Sequence, residues 1–368
     1  MKKQKIKDTI IVSIFILILM GIVLGFSLAT SDGDKTAVII SVITVVACFA
    51  IGIAGALLVN AIKKKKQRKQ MQQLPNEIIY EPLGKEKLDI IIEEIKKRSA
   101  KPALRIKAEK CDDLGIAQSK FGGYPYWEDG DAYPLDSEDK PMFLLAQINF
   151  SEMKEANPLL PQKGLLQFFI ADDEYFGVGF GDGFDLDSGD LAEQKNFRVI
   201  YHADIDSTVT EESVKAQGIK AFCDDPDNDY FPLTTQEKIT FTEFTDYMYF
   251  GMDECDRLVE KIFREEFGEE IRGNLYKRFD DDEYEHVSNA FKDCWCSKML
   301  GYPEFTQSDY REAEDGDDNY GYYDTVLLQI DSDDEIMWGD CGIANFLINS
   351  QALKKLDFSN VSYSWDCY

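Results

Sequence analysis

Histidine is nearly missing from this chain: His202 and His286 are the only two in 368 residues. The eight cysteines form no Cys-x-x-Cys pair, so the sequence supplies no tetrahedral zinc spacing. Neither histidine stands near a Gly-flanked Ser or Cys, which removes the usual pairing of nucleophile and base. Basic side chains are scarce after Tyr80. Residues 1–80 hold eleven Lys and Arg against four Asp and Glu, which leaves 29 basic and 64 acidic of the totals 40 and 68. A net of −35 speaks against nucleic acid, which needs a basic face. No catalytic residue, metal ligand or cofactor is assigned from the sequence. Such charge suits a basic protein partner, a cation or plain solubility.

Charge is also missing from two long runs, Ile10 to Leu28 and Thr36 to Ile62. A bilayer core of about 30 Å takes about 20 apolar residues in a helix, so each run is long enough to span. The link Ser31-Asp32-Gly33-Asp34-Lys35 is too short for anything but an antiparallel hairpin. Lys2, Lys3, Lys5 and Lys7 precede the first run, and Lys63 to Lys66, Arg68 and Lys69 follow the second. The positive-inside rule then puts both termini and the large domain in the cytoplasm, beneath the inner membrane. A cleaved signal peptide ending near Ser27-Leu28-Ala29 is disfavoured by the length of its apolar run. No ionisable residue interrupts either span, which argues against transport. The expected organisation is a transmembrane hairpin over 1–62, a basic stalk over 63–79 and a soluble domain over 80–368.

Within that domain, Leu88, Ile91, Ile92 and Ile95 predict a helix over Lys85 to Arg98. A second helical pattern runs from Asp253 to Tyr276, weakened toward its end by Gly268 and Gly273. Short β-branched and aromatic runs predict strands at Met142–Ile148, Leu165–Ile170, Phe197–Tyr201, Lys238–Phe241, Thr325–Ile330 and Ile343–Ile348. With strands dominant and helices few, the fold class is α+β with a mostly antiparallel sheet.

The sequence also repeats itself. Ser119-Lys120-Phe121-Gly122-Gly123-Tyr124-Pro125 returns 178 positions later as Ser297-Lys298-Met299-Leu300-Gly301-Tyr302-Pro303. Gly164 to Ile170 returns at the same offset as Gly342 to Ile348. Between them, Leu145-Ala146-Gln147-Ile148 matches Leu327-Leu328-Gln329-Ile330 at an offset of 182. Three matches in one order predict an internal duplication with a pseudo-twofold axis, rather than a solenoid of short repeats.

These same segments carry a family resemblance. KFGGYPYW from Lys120, PMFLLAQINF from Pro141, KGLLQFFI from Lys163 and QKNFRVIY from Gln194 are similar to the YwqG-like family. LLQIDS from Leu327, IMWGDCGIAN from Ile336 and the ending LDFSNVSYSWDCY add to the likeness, which covers about residues 80–368. The resemblance implies an α+β fold built on a duplication, in a family whose function is not known. The hairpin is additional to the family's pattern, and Leu300 replaces the first glycine of the second Gly-Gly-Tyr-Pro.

Chemistry-bearing runs are weak. Gly177 to Asp185 lacks the Gly-Lys-Ser/Thr of a phosphate loop and is too acidic for phosphate. Asp224 to Asp229 lacks the Gly and distal Glu of a calcium loop, and Asp315 to Asn319 reads as a solvated loop. The better candidates for ligand binding are Gln147, Gln329, Asp331, Asp333, Trp338, Asp340, Asn345, Trp365 and Asp366. Gln147 and Gln329, equivalent by the repeat, face each other across the twofold in this reading. A structural reading competes: the glutamines satisfy buried backbone, and the tryptophans anchor the core with each indole N–H on a carboxylate. Two functions are consistent with this pattern. One is a membrane-tethered regulatory or immunity-type binding module; the other is a hydrolase or cation-dependent enzyme, which requires Asp331, Asp333, Asp340 and Asp366 to converge.

Overall fold

The computed structural model describes residues 82–153, 157–178, 190–224, 230–271, 275–307, 309–311 and 322–368. The hairpin, the stalk, most of the glycine-rich run, the acidic run 225–229 and the loop 315–319 lie outside the described residues. Among the described residues no helix is long and apolar enough to cross a membrane. Pro82–Tyr368 forms one compact unit.

Five short helices are present in the described part. α1 (Lys85–Ser99) buries the predicted stripe of Leu88, Ile91, Ile92 and Ile95. Its acid Glu86 opens it and Lys96, Lys97 and Arg98 close it, as the helix dipole favours. α2 (Glu211–Ala216) starts on a capping box between Thr210 and Ser213. α3 (Asp253–Ile262) is shorter than its apolar pattern predicts. It widens into a π turn over Phe263–Phe267 and stops at Gly268, whose left-handed φ of 65° ends the helix. α4 (Asp281–Phe291) is capped by Asp280 with Glu283 in return, and α5 (Ser350–Lys354) by Asn349. The buried faces of α1, α3 and α4 meet in a core of their own, which includes Ile91, Ile95, Val259, Ile262, Val287 and Phe291.

Ten strands make one antiparallel sheet: β1 (Lys101–Lys110), β2 (Lys120–Phe121), β3 (Phe143–Asn149), β4 (Leu165–Ile170), β5 (Phe197–His202), β6 (Glu237–Asp246), β7 (Lys298–Leu300), β8 (Thr325–Asp331), β9 (Ile343–Ile348) and β10 (Val361–Asp366). Their order is β10-β9-β8-β7-β1-β6-β2-β3-β4-β5. Counted inward from either edge, the two halves have the same form. β1 precedes β2 to β5 in the chain yet pairs with β7, while β6 pairs with β2. Each half therefore takes its innermost strand from the other set. The long β1–β6 ladder, Lys101↔Asp246 to Lys110↔Glu237, joins them at the centre. A register irregularity falls at Leu145 in β3 and at the matching Leu327 in β8.

The sheet curls until its halves face each other, a near-barrel. Phe168 meets Phe346 at 4.8 Å between ring centres, and Phe197 meets Tyr363 at 5.2 Å. Burying each such ring stabilises the fold by about 1.5–3 kcal/mol. The edge strands β5 and β10 end the ladder, and side chains bridge across this seam. Tyr363 donates its hydroxyl to the Phe176 carbonyl at 2.7 Å, and the Trp365 indole donates to Tyr175 O at 2.7 Å. β4 and β9 are buried at every position, because loops and helices cover the outer face as well.

Strands β1, β2, β7 and β10 have no counterpart among the strands predicted from sequence. β1 carries Lys101, Arg105, Lys107, Glu109 and Lys110, and only Ala103, Leu104 and Ile106 are buried. Its place at the centre of the sheet follows from partners more than a hundred residues away.

Candidate functional site

Strand register aligns a polar row on the outer face of each half. In the first half Lys120 pairs with Gln147 and Gln147 with Gln167. In the second, Lys298 pairs with Gln329 and Gln329 with Asn345. All six are buried to 2 % exposure or less. Groups so deep must find hydrogen bonds, and the amides find them in the turn that follows Gly-Tyr-Pro and in the segment that leads into it.

Gln147 Oε1 accepts the Tyr126 amide at 2.9 Å, and Gln329 Oε1 accepts the Glu304 amide at 2.8 Å. Gln147 Nε2 donates to Gln118 O at 2.8 Å, and Gln329 Nε2 to Cys296 O at 2.9 Å. The next strand repeats the match: Gln167 Nε2 donates to Tyr126 O at 2.8 Å, and Asn345 Nδ2 to Glu304 O at 2.6 Å. Both glutamines are thus bound to the turn of their own half, as the structural reading expects.

The two rows differ in charge. Lys298 donates to Asp246 Oδ2 at 3.0 Å, Glu304 Oε1 at 3.2 Å and Cys294 O at 3.1 Å. Asp246 also accepts the amides of Tyr247 and Tyr302, each at 2.9 Å. Burial works to lower the Lys298 ammonium, but Glu304 and Asp246 reverse this and hold it above its usual range. Burial pushes Glu304 up to about 8, against the pull of Lys298. At the matching place in the first half, Tyr126 stands where Glu304 stands in the second. Among the described residues Lys120 has no carboxylate within ion-pair distance; its bond is to Ile116 O at 3.3 Å. Burial lowers its ammonium to about 8, with Glu211 opposing.

The backbone entering each turn is left-handed. Gly122 and Gly123 have φ of 64° and 73°, and Leu300 and Gly301 have 66° and 75°. Leucine thus adopts the conformation its glycine counterpart adopts, at a cost of about 1–2 kcal/mol. Its side chain is 2 % exposed in the core between the sheet halves, which offsets that strain.

The remaining sequence candidates are spread out. Asp331 is half-buried and is held above the ordinary aspartate range by burial. Asp333 Oδ1 accepts the Glu335 and Ile336 amides at 2.8 and 2.9 Å, closing a turn. Asp340 is exposed, and its carbonyl accepts the Tyr368 amide at 3.2 Å. Asp366 Oδ2 accepts the Gln307 amide at 2.8 Å. Trp338 is fully buried beside Phe176 at 5.7 Å, with no hydrogen bond to its indole N–H, whereas Trp365 bonds a carbonyl. Neither indole is on a carboxylate. Among the described residues no group of three or more His, Cys, Asp or Glu is placed to hold a metal ion.

Sequence reasoning passed over Lys120, Asp246, Lys298 and Glu304. The signal was available, because both lysines lie inside the repeated Ser-Lys-x-x-Gly-Tyr-Pro segment. The histidines are less bland than their sequence context: His202 Nε2 lies 2.9 Å from Gln167 Oε1, and His286 Nε2 lies 2.7 Å from Asp89 Oδ1.

A cleft of about 460 Å³ lies elsewhere, between the start of α1 and α4, and shares no residue with either row. Asp280, Asp282, Glu283 and Glu285 line it with Lys85 and His286. Glu283 is committed to structure: it accepts the Gly84 amide at 3.2 Å and the Asp280 amide at 3.4 Å. Asp282 and Glu285 are exposed.

Residues 119–367 match the family described as Domain of unknown function (DUF1963), and the chain belongs to that family. No curated protein matches it.

Proposed function

We propose that this member of the family is a binding module held at the inner face of a membrane by its N-terminal hairpin, with a basic protein as its partner. The finer likeness to YwqG-like proteins and the origin of the two halves by duplication belong to the same reading. The observation that carries it is the acidic cleft between α1 and α4, where the carboxylates of Asp282 and Glu285 are left to solvent. A basic side chain entering the cleft would meet two free carboxylates beside the apolar flank of Leu88. The buried rows support the reading in another way. Their amides hold the turns in place, which makes a rigid scaffold for loops that recognise a partner.

The test uses the full chain in detergent and a labelled oligolysine peptide as probe. Asp282→Asn with Glu285→Gln should weaken binding several-fold, and rising salt should erase the difference. A control pair of equal charge, Glu211→Gln with Glu212→Gln on α2, should change little. Equal loss from both pairs, or binding indifferent to salt, would overturn the cleft as the recognition site.

A further inference from the structure

One carboxylate stands among the apolar side chains inside the near-barrel. Glu237 opens β6 and pairs with Phe121 of β2 on one side and Lys110 of β1 on the other. Directly paired residues share a face of a sheet, so Glu237 lies on the inner face with Phe121, which belongs to the core between the halves. It is 3 % exposed, and its Oε2 has no hydrogen-bond partner among the described residues. A carboxylate so placed keeps its charge only at a high cost in free energy.

The loop that leads from β8 to β9 closes over this position. Met337 N donates to Pro232 O at 2.7 Å and Thr234 N to Glu335 O at 2.9 Å, while Leu233 and Ile336 pair as an isolated bridge. Leu233 and Ile336 are buried in the same core as Phe121. At the rim, Glu335 accepts Lys110 Nζ at 2.8 Å on Oε1 and the Thr234 hydroxyl at 2.6 Å on Oε2. The loop thus brings two carboxylates, Asp333 and Glu335, to a place that already holds one. Asp333 is fixed there, because its Oδ1 accepts the amides of Glu335 and Ile336.

We propose that Glu237 is a proton-operated latch: it is protonated while the 332–337 loop is closed, and loss of that proton releases the loop from the start of β6. Were all three carboxylates ionised, they would share Lys110, which pairs with Glu237 across the ladder and with Glu335 in the loop. Charges bear on Glu237 from the elements packed on it: Asp333 and Glu335 from the loop and Lys110 from β1, with Asp112 beyond it in the field of that lysine. β2 presents the neutral Phe121, and the next residue of β6, Lys238, is exposed on the opposite face beside Lys120. Burial, with Asp333 and Glu335 adding to it and Lys110 opposing, pushes the Glu237 carboxyl from 4.5 up to about 7. The closed state therefore binds a proton that the open state releases. Its stabilisation is complete below 4.5 and is lost as pH rises to about 7. The latch is independent of the acidic cleft.

Amide hydrogen exchange of the full chain in detergent tests the latch, read by mass spectrometry on peptides spanning 232–236 and 333–338 and corrected for the intrinsic effect of pH. Protection of both peptides should fall by up to tenfold per pH unit between about 4.5 and 7, then level off. The fall should exceed that of a peptide from β4, because global unfolding would lower all three alike. Glu237→Gln keeps the shape without the charge and should remove the excess fall. Asp333→Asn keeps an acceptor for the turn amides while removing one repelling charge, and should end the fall at a lower pH. Protection indifferent to pH, a fall equal to that of β4, or an excess that survives Glu237→Gln would overturn the proposal. Should Glu237→Gln fail to fold, Asp333→Asn decides, and a fall that does not move rejects the latch.

Discussion

The two halves of the sheet share strand order, register and the amide bonds that hold each turn, yet they treat a buried lysine in opposite ways. Lys298 is enclosed by Asp246 and Glu304, while Lys120 bonds a backbone carbonyl and, among the described residues, has no carboxylate within ion-pair distance. Polar satisfaction of the backbone is the same in both, so the amides are what the architecture requires. Charge is what the halves are free to vary. A lysine can thus serve the same position either as half of an ion pair or as a long apolar stem with an easily neutralised tip.

The largest test of that contrast is paired removal of the amines. Lys298→Met leaves Asp246 buried without its cation and should cost about 3–5 kcal/mol. Lys120→Met removes an uncompensated charge, so chemical unfolding near neutral pH should show little loss, or a gain. Equal losses from the two substitutions would break the comparison.

Next in size is the turn glycine. A Cβ on Gly301 would lie 2.2 Å from Asp246 Oδ2, and one on Gly123 would lie 2.5 Å from Gln236 Oε1. Asp246 is fixed by Lys298 and two amides, whereas the Gln236 side chain is long and bonds only the carbonyls of Cys111 and Asp112. Both substitutions strain a left-handed backbone, at about 1–3 kcal/mol. Gly301→Ala should fall at the top of that range or beyond it, and Gly123→Ala lower, by denaturant midpoint.

A third test is the pH slope. Glu304 has its folded pKa raised from 4.5 to about 8, so the folded state holds a proton that the unfolded state releases. Its contribution is complete below 4.5 and is lost as pH rises toward 8. Lys120, lowered from 10.5 to about 8, acts in the opposite sense: stability is regained as pH rises from 8 to 10.5. Glu304→Gln should flatten the decline between 4.5 and 8 without touching the alkaline limb. Glu237, pushed up to about 7 by burial with Asp333 and Glu335 nearby, leaves a residual slope. A decline unchanged in Glu304→Gln would show that the carboxyl is ionised and paired throughout.

Much of this fold was legible because burial writes itself into apolar runs. β4 and β9 are fully buried, and their bounds are read from sequence without error. The α1 stripe was equally plain. β1 was not, because its pattern mixes Lys, Arg and Glu with few apolar residues, and its two neighbours belong to later parts of the chain. α3 was overextended, since apolar spacing continued past the glycine that ends it. The glutamines were found through the repeat, but Glu304 was not, for its counterpart is a tyrosine and nothing marks it as equivalent by chemistry. The repeat marks Lys298 but not its partner: Asp246 lies 52 residues away, and an ion pair at that separation leaves no local trace.

The exchange of β1 and β6 also has a consequence in time. β1 emerges among the first residues of the domain, but one of its partners, β7, begins at Lys298. During synthesis at about 5–20 residues per second, that edge of β1 stays open for on the order of ten seconds or more. β7 is three residues long, too short to order itself without the strand it waits for. Completion of the central ladder is therefore gated by a strand made long after β1, and a strand left waiting is free to be taken up by a second copy in the same position. Interlocking the halves secures the finished sheet while making its assembly an exchange between beginning and end.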